Sequence, residues 1–109
     1  MESKIKEIID NYGIMKQLKY IHSEYFELDE AIIKAENYIP HSDDTLEKIC
    51  VNVETYKNHV AEELADVMVM LKQFQSYFGI TDAEIKKIMN SKIDRQINRI
   101  NNSDITEHK

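Results

Sequence analysis

The segment from Val60 to Phe78 constrains the fold most strongly, because its apolar residues recur at steps of three and four. That spacing is typical of an α-helix that buries one stripe along its length. The stripe consists of Val60, Leu64, Val67, Leu71, Phe74 and Phe78. The 109 residues include only two glycines and one proline, so few positions would interrupt helices. We therefore predict an all-α chain.

Two acidic side chains lie on or beside this stripe. At about 100° per residue, Glu63 lies about 40° from the stripe centre at Val67, and Asp66 lies about 100° away on the same side. Glu62 points in the opposite direction, toward solvent. A carboxylate on a buried face costs free energy unless it is paired or binds a cation. Glu63 is therefore the residue whose position most requires an explanation.

A second helix is predicted from about Ile14 to Asn37. Its apolar stripe consists of Ile14, Leu18, Ile21, Tyr25, Leu28, Ile32 and Ala35. Glu24 lies about 60° from this stripe and Glu27 about 120° from it, again on one side, whereas Glu30 points away. The alternating steps of four and three are typical of a helix in a bundle.

The acids of the two helices lie on matching flanks of their stripes. Within each helix the two acids are three residues apart, so each pair forms one patch. If the helices pack antiparallel, stripe against stripe, the acidic flanks meet on the same side. The sequence then predicts that four carboxylates converge, those of Glu24, Glu27, Glu63 and Asp66.

Shorter elements flank this helix pair. The residues from Ile5 to Tyr12 are predicted to form a short amphipathic helix that ends at Gly13. The segment Tyr38–Asn58 begins as a loop, in which Pro40 disfavours helix at the preceding residue. A short helix is expected near 44–51, and it could be fused to the main helix that follows.

The last helix is predicted to open with a capping box from Thr81 to Glu84. Its buried side is expected to consist of Ile85, Met89, Ile93, Ile97 and Ile100. Lys92, Arg95 and Arg99 make the helix basic. We expect residues 1–102 to form a single domain and residues 103–109 to form a flexible polar tail.

The charge and cysteine content narrow the choice of partner and compartment. A net charge of −6 argues against binding a nucleic-acid polymer or an anionic membrane. No apolar run approaches membrane-span length, and the N-terminal residues lack the apolar core of a signal peptide. Cys50 has no second cysteine to pair with and is expected to be a small buried apolar residue. These features predict a cytoplasmic protein.

The turn from Val67 to Leu71 is apolar on every side. A bundle of this size cannot easily bury a helix completely, but a subunit interface would cover the remaining sides. We therefore expect a homo-oligomer, either a homodimer or a homotetramer.

The acidic motifs resemble those of the MazG-like all-α nucleoside triphosphate pyrophosphohydrolases. That family has Glu-x-x-Glu on one helix and Glu-x-x-Asp on another, as in Glu24-Tyr-Phe-Glu27 and Glu63-Leu-Ala-Asp66 here. The flanking stretches QLKYIHSEYFELDEAI, HVAEELADVMVML and KIDRQINRI are similar too, so the resemblance covers about Ile14 to Ile100. It implies a four- to five-helix bundle of this family's type that acts as an oligomer.

The resemblance also implies an activity, the hydrolysis of a nucleoside triphosphate to a monophosphate and pyrophosphate, with a role in cleaning the nucleotide pool. The implied metal is Mg²⁺, for which Mn²⁺ could substitute, and its ligands would be Glu24, Glu27, Glu63 and Asp66. Glu24 and Glu27 are the candidates for orienting the attacking water.

The substrate contacts implied are Lys92 and Arg95 for the phosphates. We expect the base to be recognised at the edge near Gln17 and Tyr20, by the Tyr38–Asn58 segment, and by a neighbouring subunit. The gap between the two acidic motifs is longer than is usual in the family, because of the Tyr38–Asn58 segment. It leaves the metal motifs intact, but the lid and the base pocket do not carry over.

Two other classes of protein also fit parts of the pattern. A di-iron carboxylate bundle gathers acids from several helices, but it normally carries Glu-x-x-His pairs that these helices lack. A non-catalytic helical oligomerisation, adaptor or nucleotide-binding module would carry the acids as surface charge or would bind nucleotide without cleaving it. The place of Glu63 inside an apolar stripe weighs against the adaptor.

Overall fold

The computed structural model describes residues 1–102, and every regular element in that range is an α-helix. The four helices are α1 (Glu2–Tyr12), α2 (Ile14–Glu36), α3 (Leu46–Tyr77) and α4 (Asp82–Asn101). The prediction of an all-α chain is confirmed. The polar tail predicted for 103–109 lies outside the described residues.

The chain divides into two compact units, of which the first is Met1–Tyr77 and the second begins at Phe78. The first unit contains α1, α2 and α3, and the second contains α4. That residues 1–102 act as a single domain stays a prediction.

Gly13 separates α1 from α2. Its φ angle of 85° lies in the left-handed region, which residues with a Cβ atom rarely adopt. The Gly13 N–H donates to the carbonyl oxygen of Ile9 at 2.8 Å, which closes the last turn of α1. The chain can therefore change direction at Gly13, and α1 packs against α3 and α2. This packing is accompanied by burial of Ile5 and Ile9.

The helices α2 and α3 form an antiparallel pair, as predicted. Gln17 near the start of α2 hydrogen-bonds to Gln73 near the end of α3, with 2.8 Å from Nε2 to Oε1. Just beyond the end of α2, the Tyr38 hydroxyl accepts a hydrogen bond of 3.1 Å from Asn52, near the start of α3. The two contacts lie at opposite ends of the pair, so the helices run alongside each other over their length.

The contact face between α2 and α3 is rotated from the predicted stripes. On α2 the buried residues are Gln17, Ile21, Glu24 and Ala31. Leu18, Tyr25 and Ile32, which were predicted to be buried, are about half exposed. The apolar residues of α2 span a wider arc than one neighbouring helix can cover, so a single chain buries only the edge nearest the acids.

The same rotation occurs on α3, where Val67, Met70 and Gln73 are buried. Leu64 and Leu71 belong to the predicted stripe, yet they are exposed, as is Met68. Because the two helices are antiparallel, these residues and the exposed apolar residues of α2 lie on the same side of the pair. We call this surface the open face; it consists of Leu18, Tyr25, Ile32, Leu64, Met68 and Leu71.

The connection between α2 and α3 confirms that α2 ends before Pro40, and it shows that the next predicted helix is not a separate one. α2 ends at Glu36, ahead of Pro40, and the short helix expected near 44–51 is the first part of the continuous α3. The Tyr38 ring packs against the Tyr56 ring, with centroids 5.2 Å apart.

Cys50 is exposed, so the prediction that it is buried is wrong. It lies off the face of α3 that turns toward Tyr38.

In the second unit, α4 begins with the predicted cap, because the Thr81 hydroxyl accepts a hydrogen bond of 3.1 Å from the Glu84 N–H. No residue of α4 is buried in the described chain, so the prediction that its apolar residues form a buried side is wrong for the single chain. Its apolar positions Met89, Ile93 and Ile97 are about half exposed. Over residues 1–102, we find no helix that is both long enough and apolar enough to cross a membrane.

Candidate metal centre

The antiparallel pairing of α2 and α3 brings three predicted carboxylates together. One oxygen from each of Glu24, Glu63 and Asp66 lies within 4.8 Å of the others. Two of these residues are on α3 and one is on α2, so the cluster forms only when the helices pack in this register. Carboxylate oxygens at this spacing are the ligands that a hard divalent cation prefers.

Glu27, the fourth predicted acid, lies beside this trio. Its negative charge raises the pKa of the Glu63 carboxyl and also that of the Glu24 carboxyl. Glu27 is exposed to solvent. The structure therefore places it at the water-facing side of the cluster, close enough to influence both buried acids.

The depth of each acid follows the helical angles. Glu24 is buried, with 7% of its surface exposed, and the Glu63 side chain is 16% exposed. Asp66, which lies further from the stripe centre, is exposed. Glu62 and Glu30 are exposed, as the angles predict. Solvent can thus reach the cluster from one side, while the other side is enclosed by protein.

Two carboxylate oxygens of the cluster lack a hydrogen-bond partner in the described chain. Among the described residues, Glu24 Oε2 and Glu63 Oε2 are buried side-chain atoms without a hydrogen bond. A buried acceptor without a partner costs the free energy of its lost hydration, and an ionised one costs more. A cation bound between the two oxygens would remove this cost. The donor set therefore fits a hard divalent ion such as Mg²⁺.

The electrostatics of Glu24 reflect its burial. Loss of hydration raises the pKa of the Glu24 carboxyl, and the negative charges of Glu27 and Asp66 raise it further. A hydrogen bond with the Tyr20 hydroxyl opposes this rise, because it stabilises the charged form. The pKa of the Tyr20 hydroxyl is raised, first by the negative charge of Glu24 and then by the hydrogen bond with it.

The pKa of Glu63 is raised in the same way, first by burial and then by the charges of Glu27 and Asp66. His59, one turn earlier on α3, acts in the opposite direction. Its Nε2 lies 3.5 Å from Glu63 Oε1, the oxygen other than the unpartnered one. The cluster therefore combines several carboxylates with one imidazole, that of His59, beside Glu63.

A cleft of about 360 Å³ lies next to Tyr20 and is lined by Tyr12, Lys16, Gln17 and Tyr20. Gln17 and Tyr20 were predicted to contact the base, whereas Lys16 and Tyr12 were not singled out. The helical wheel contained the signal for Lys16, which precedes Tyr20 by one turn on the same edge of α2. Tyr12 belongs to α1, and only the turn at Gly13 brings it to this edge.

Gln17 has a structural contact as well. It is buried, and its amide Nε2 donates to Gln73 Oε1 at 2.8 Å. The Gln73 amide lies 3.6 Å from the sulfur of Met70. The Gln17 amide nitrogen is thus engaged in the contact between α2 and α3.

Lys92 and Arg95, predicted to contact phosphate, lie on α4 in the second unit. Their role stays a prediction.

We found no match for this chain among protein-family models, curated proteins or solved structures. The assignment of function therefore depends on the residues and on the geometry of the cluster.

Proposed function

We propose that this chain is a Mg²⁺-dependent nucleoside triphosphate pyrophosphohydrolase. The observation that carries the proposal is the pair of buried oxygens, Glu24 Oε2 and Glu63 Oε2, which have no hydrogen-bond partner in the described chain. They belong to two acids that come from different helices and converge to within 4.8 Å, together with Asp66. A structural salt bridge would supply a cationic side chain at these two atoms, and neither has one.

Glu24, Glu63 and Asp66 would hold the metal, with Glu27 completing the set from the solvent side. When bound, Mg²⁺ supplies charge neutralisation for a triphosphate and lowers the pKa of a coordinated water. The chain's own groups have separate tasks. Tyr20 restrains the Glu24 carboxylate through its hydroxyl, and His59 contacts the second oxygen of Glu63.

Glu27 is the acid best placed to orient an attacking water and to accept its proton. It is exposed, so water reaches it, and it lies beside Glu63. A general base must lie within hydrogen-bond reach of the proton that it removes. Glu24 stays the second candidate for this role, although its burial restricts the access of water.

We further propose that the enzyme is a homo-oligomer in which the open face is covered by a second copy. Leu18, Tyr25 and Ile32 follow one another at intervals of seven residues, the spacing of a coiled-coil seam. The role proposed for Lys92 and Arg95 is to bind the substrate phosphates.

The open face also favours a second function, that of a helical oligomerisation module without catalysis. The two functions differ in their dependence on metal. A module of this kind would associate equally well with and without Mg²⁺, and it would tolerate substitution of Glu63.

The test is to incubate the protein with a panel of ribo- and deoxyribonucleoside triphosphates and Mg²⁺ and to identify the products. We expect at least one substrate to yield a monophosphate and pyrophosphate, and EDTA to abolish the reaction. Release of orthophosphate and a diphosphate would place the cleavage at a different bond and contradict the proposal. A Glu63→Gln preparation purified in parallel controls for contaminating phosphatases.

A further inference from the structure

The cleft next to the acidic cluster contains a cation with no acidic partner. Lys16 lines the cleft, and its Nζ lies 5.2 Å from the centroid of the Tyr12 ring. Among the described residues, Lys16 forms no ion pair. Because Lys16 is exposed, its ammonium group is accessible to a ligand that enters the cleft.

The cleft and the acidic cluster lie at different heights along the same helix, α2. Lys16 precedes Glu24 by eight residues on α2, a rise of about 12 Å along the helix axis. This separation is comparable with the length of a nucleoside. Tyr20 lies between them, because its ring lines the cleft while its hydroxyl interacts with Glu24. A ligand bound by the acids at one end could thus reach Lys16 with the other.

The lining of the cleft suits a planar aromatic group. The rings of Tyr12 and Tyr20 remain 50% and 54% exposed, so both have surface free for stacking. Stacking on aromatic side chains is a general means of holding a nucleobase.

The hydrogen-bonding groups of the cleft include one charged donor. The Tyr20 hydroxyl interacts with Glu24, and the Gln17 amide nitrogen with Gln73. The Tyr12 hydroxyl and the Gln17 side-chain oxygen are neutral groups that can accept hydrogen bonds, whereas the Lys16 ammonium can donate three and accept none. Hydrogen bonds from a charged donor are stronger than those between neutral groups. A base edge that presents a carbonyl oxygen to Lys16 therefore matches this cleft better than one that presents an amino group there.

We propose that this cleft is the base-binding subsite of the enzyme, in which Lys16 recognises the C4 carbonyl oxygen of the base and thereby favours uracil or thymine over cytosine, which has an amino group at C4. The proposal deepens the proposed function and rests on it for the presence of a nucleotide. Its direct consequence, binding of a free nucleoside, requires neither the metal nor turnover.

The experiment measures binding of uridine and cytidine to the full chain in EDTA, by titration in NMR. Neither nucleoside carries a phosphate, so only the base and sugar contribute. Lys16→Met keeps the apolar length of the side chain and removes its charge, and Tyr12→Leu removes one ring. Lys34→Met is the matched control, because Lys34 is an exposed lysine on α2 about 27 Å from Lys16 along the helix axis.

We expect uridine to bind more tightly than cytidine. Lys16→Met should weaken uridine binding about tenfold and remove the preference, on the scale of one hydrogen bond from a charged group. Tyr12→Leu should weaken the binding of both nucleosides, and Lys34→Met should change the binding of neither. Equal uridine binding by Lys16→Met and the parent protein would overturn the proposal, as would a preference for cytidine.

A second arm separates the base from the phosphates as the partner of Lys16. Inorganic tripolyphosphate with Mg²⁺ should bind Lys16→Met and the parent protein equally. If Lys16→Met instead loses tripolyphosphate and keeps uridine, the cleft is a phosphate subsite and the proposal is wrong. The two proposals can fail separately, since hydrolysis without nucleoside binding refutes only the base subsite, and nucleoside binding without hydrolysis refutes only the enzyme.

Discussion

Glu24 and Glu63 have equivalent places in two similar motifs, yet their surroundings differ. Glu24 is buried and has a tyrosine as neighbour, whereas Glu63 is half-buried and has a histidine. In both residues one carboxylate oxygen is buried without a partner. The fold thus holds two carboxylates in an unfavourable environment, which indicates a role that requires them there.

The first prediction concerns which acids are required for turnover. Glu24→Gln or Glu63→Gln should lower kcat/KM by about a hundredfold or more, the scale of other preorganised electrostatic contacts in active sites. Glu62→Gln and Glu30→Gln remove exposed carboxylates from the same two helices, so they are matched controls and should be nearly silent. Equal losses at Glu62 and Glu63 would show that the site does not lie on this face.

The second prediction concerns pH in the absence of cation. The folded chain raises the pKa of Glu24 above its ordinary value near 4.5, so the native state binds more protons than the unfolded chain. The destabilisation is therefore absent well below that value, and it grows as pH rises through the raised pKa. We expect the Glu24→Gln variant to lack this pH-dependent destabilisation in EDTA.

The measurement is the melting temperature of both proteins in EDTA over a range of pH. The midpoint of the parent protein should fall relative to that of Glu24→Gln as pH rises above about 4.5. A constant difference between the two proteins across the range would contradict the assignment of a raised pKa to Glu24.

At the scale of elements, the periodicity of the sequence predicted which helices form and which flank carries the acids. It did not predict how far each helix rotates about its axis. Leu18 and Leu64 are central to the predicted stripes, yet they lie on the open face. Periodicity locates an apolar arc, but the choice of edge depends on contacts such as Gln17 with Gln73, in which the polar residues carry no apolar signal.

The cleft could not be predicted in full for a related reason. Tyr12 reaches it only because the chain changes direction at Gly13. The glycine itself was expected to end α1, but the direction of the following helix depends on tertiary packing.

The third prediction tests this turn. Gly13→Ala should destabilise the protein by about 1 kcal/mol, because a residue with a Cβ atom resists a φ angle of 85°. A Cβ atom at this position would meet no other atom within 4 Å, so a steric clash does not contribute. Chemical denaturation measures the change in the free energy of unfolding. As a control, Asn11→Ala alters an exposed helical residue and should not destabilise the protein. An increase in stability for Gly13→Ala would contradict the left-handed turn.

At the scale of the whole molecule, the open face is the largest feature that a single chain leaves unexplained. Its six apolar residues lie side by side on two helices, and each is about half exposed. Contiguous apolar surface of this kind marks interaction sites in soluble proteins. The sequence predicted an interface from the apolar turn Val67–Leu71, and only part of that turn, Val67 and Met70, is buried within one chain.

The fourth prediction follows from the open face. The protein should sediment as a dimer or larger species at micromolar concentration, and Met68→Asp should dissociate it, because a carboxylate would have to be desolvated in the interface. Thr55→Asp introduces the same charge at an exposed position about 140° from Met68 around α3 and should leave association unchanged. A parent protein that sediments as a stable monomer would contradict the proposal of an oligomer.

The proposed activity requires Glu63 to be a ligand for a cation, and a thermal melt in EDTA and in millimolar Mg²⁺ tests this most directly. Mg²⁺ should raise the melting temperature of the parent protein, since the ion binds the folded cluster and not the unfolded chain. In EDTA, Glu63→Gln should have a higher melting temperature than the parent protein, because one repelling charge is removed. Its melting temperature should rise less than that of the parent protein when Mg²⁺ is added. If Mg²⁺ leaves the parent midpoint unchanged and Glu63→Gln is destabilised in both buffers, Glu63 is a structural acid and the cluster does not bind the metal.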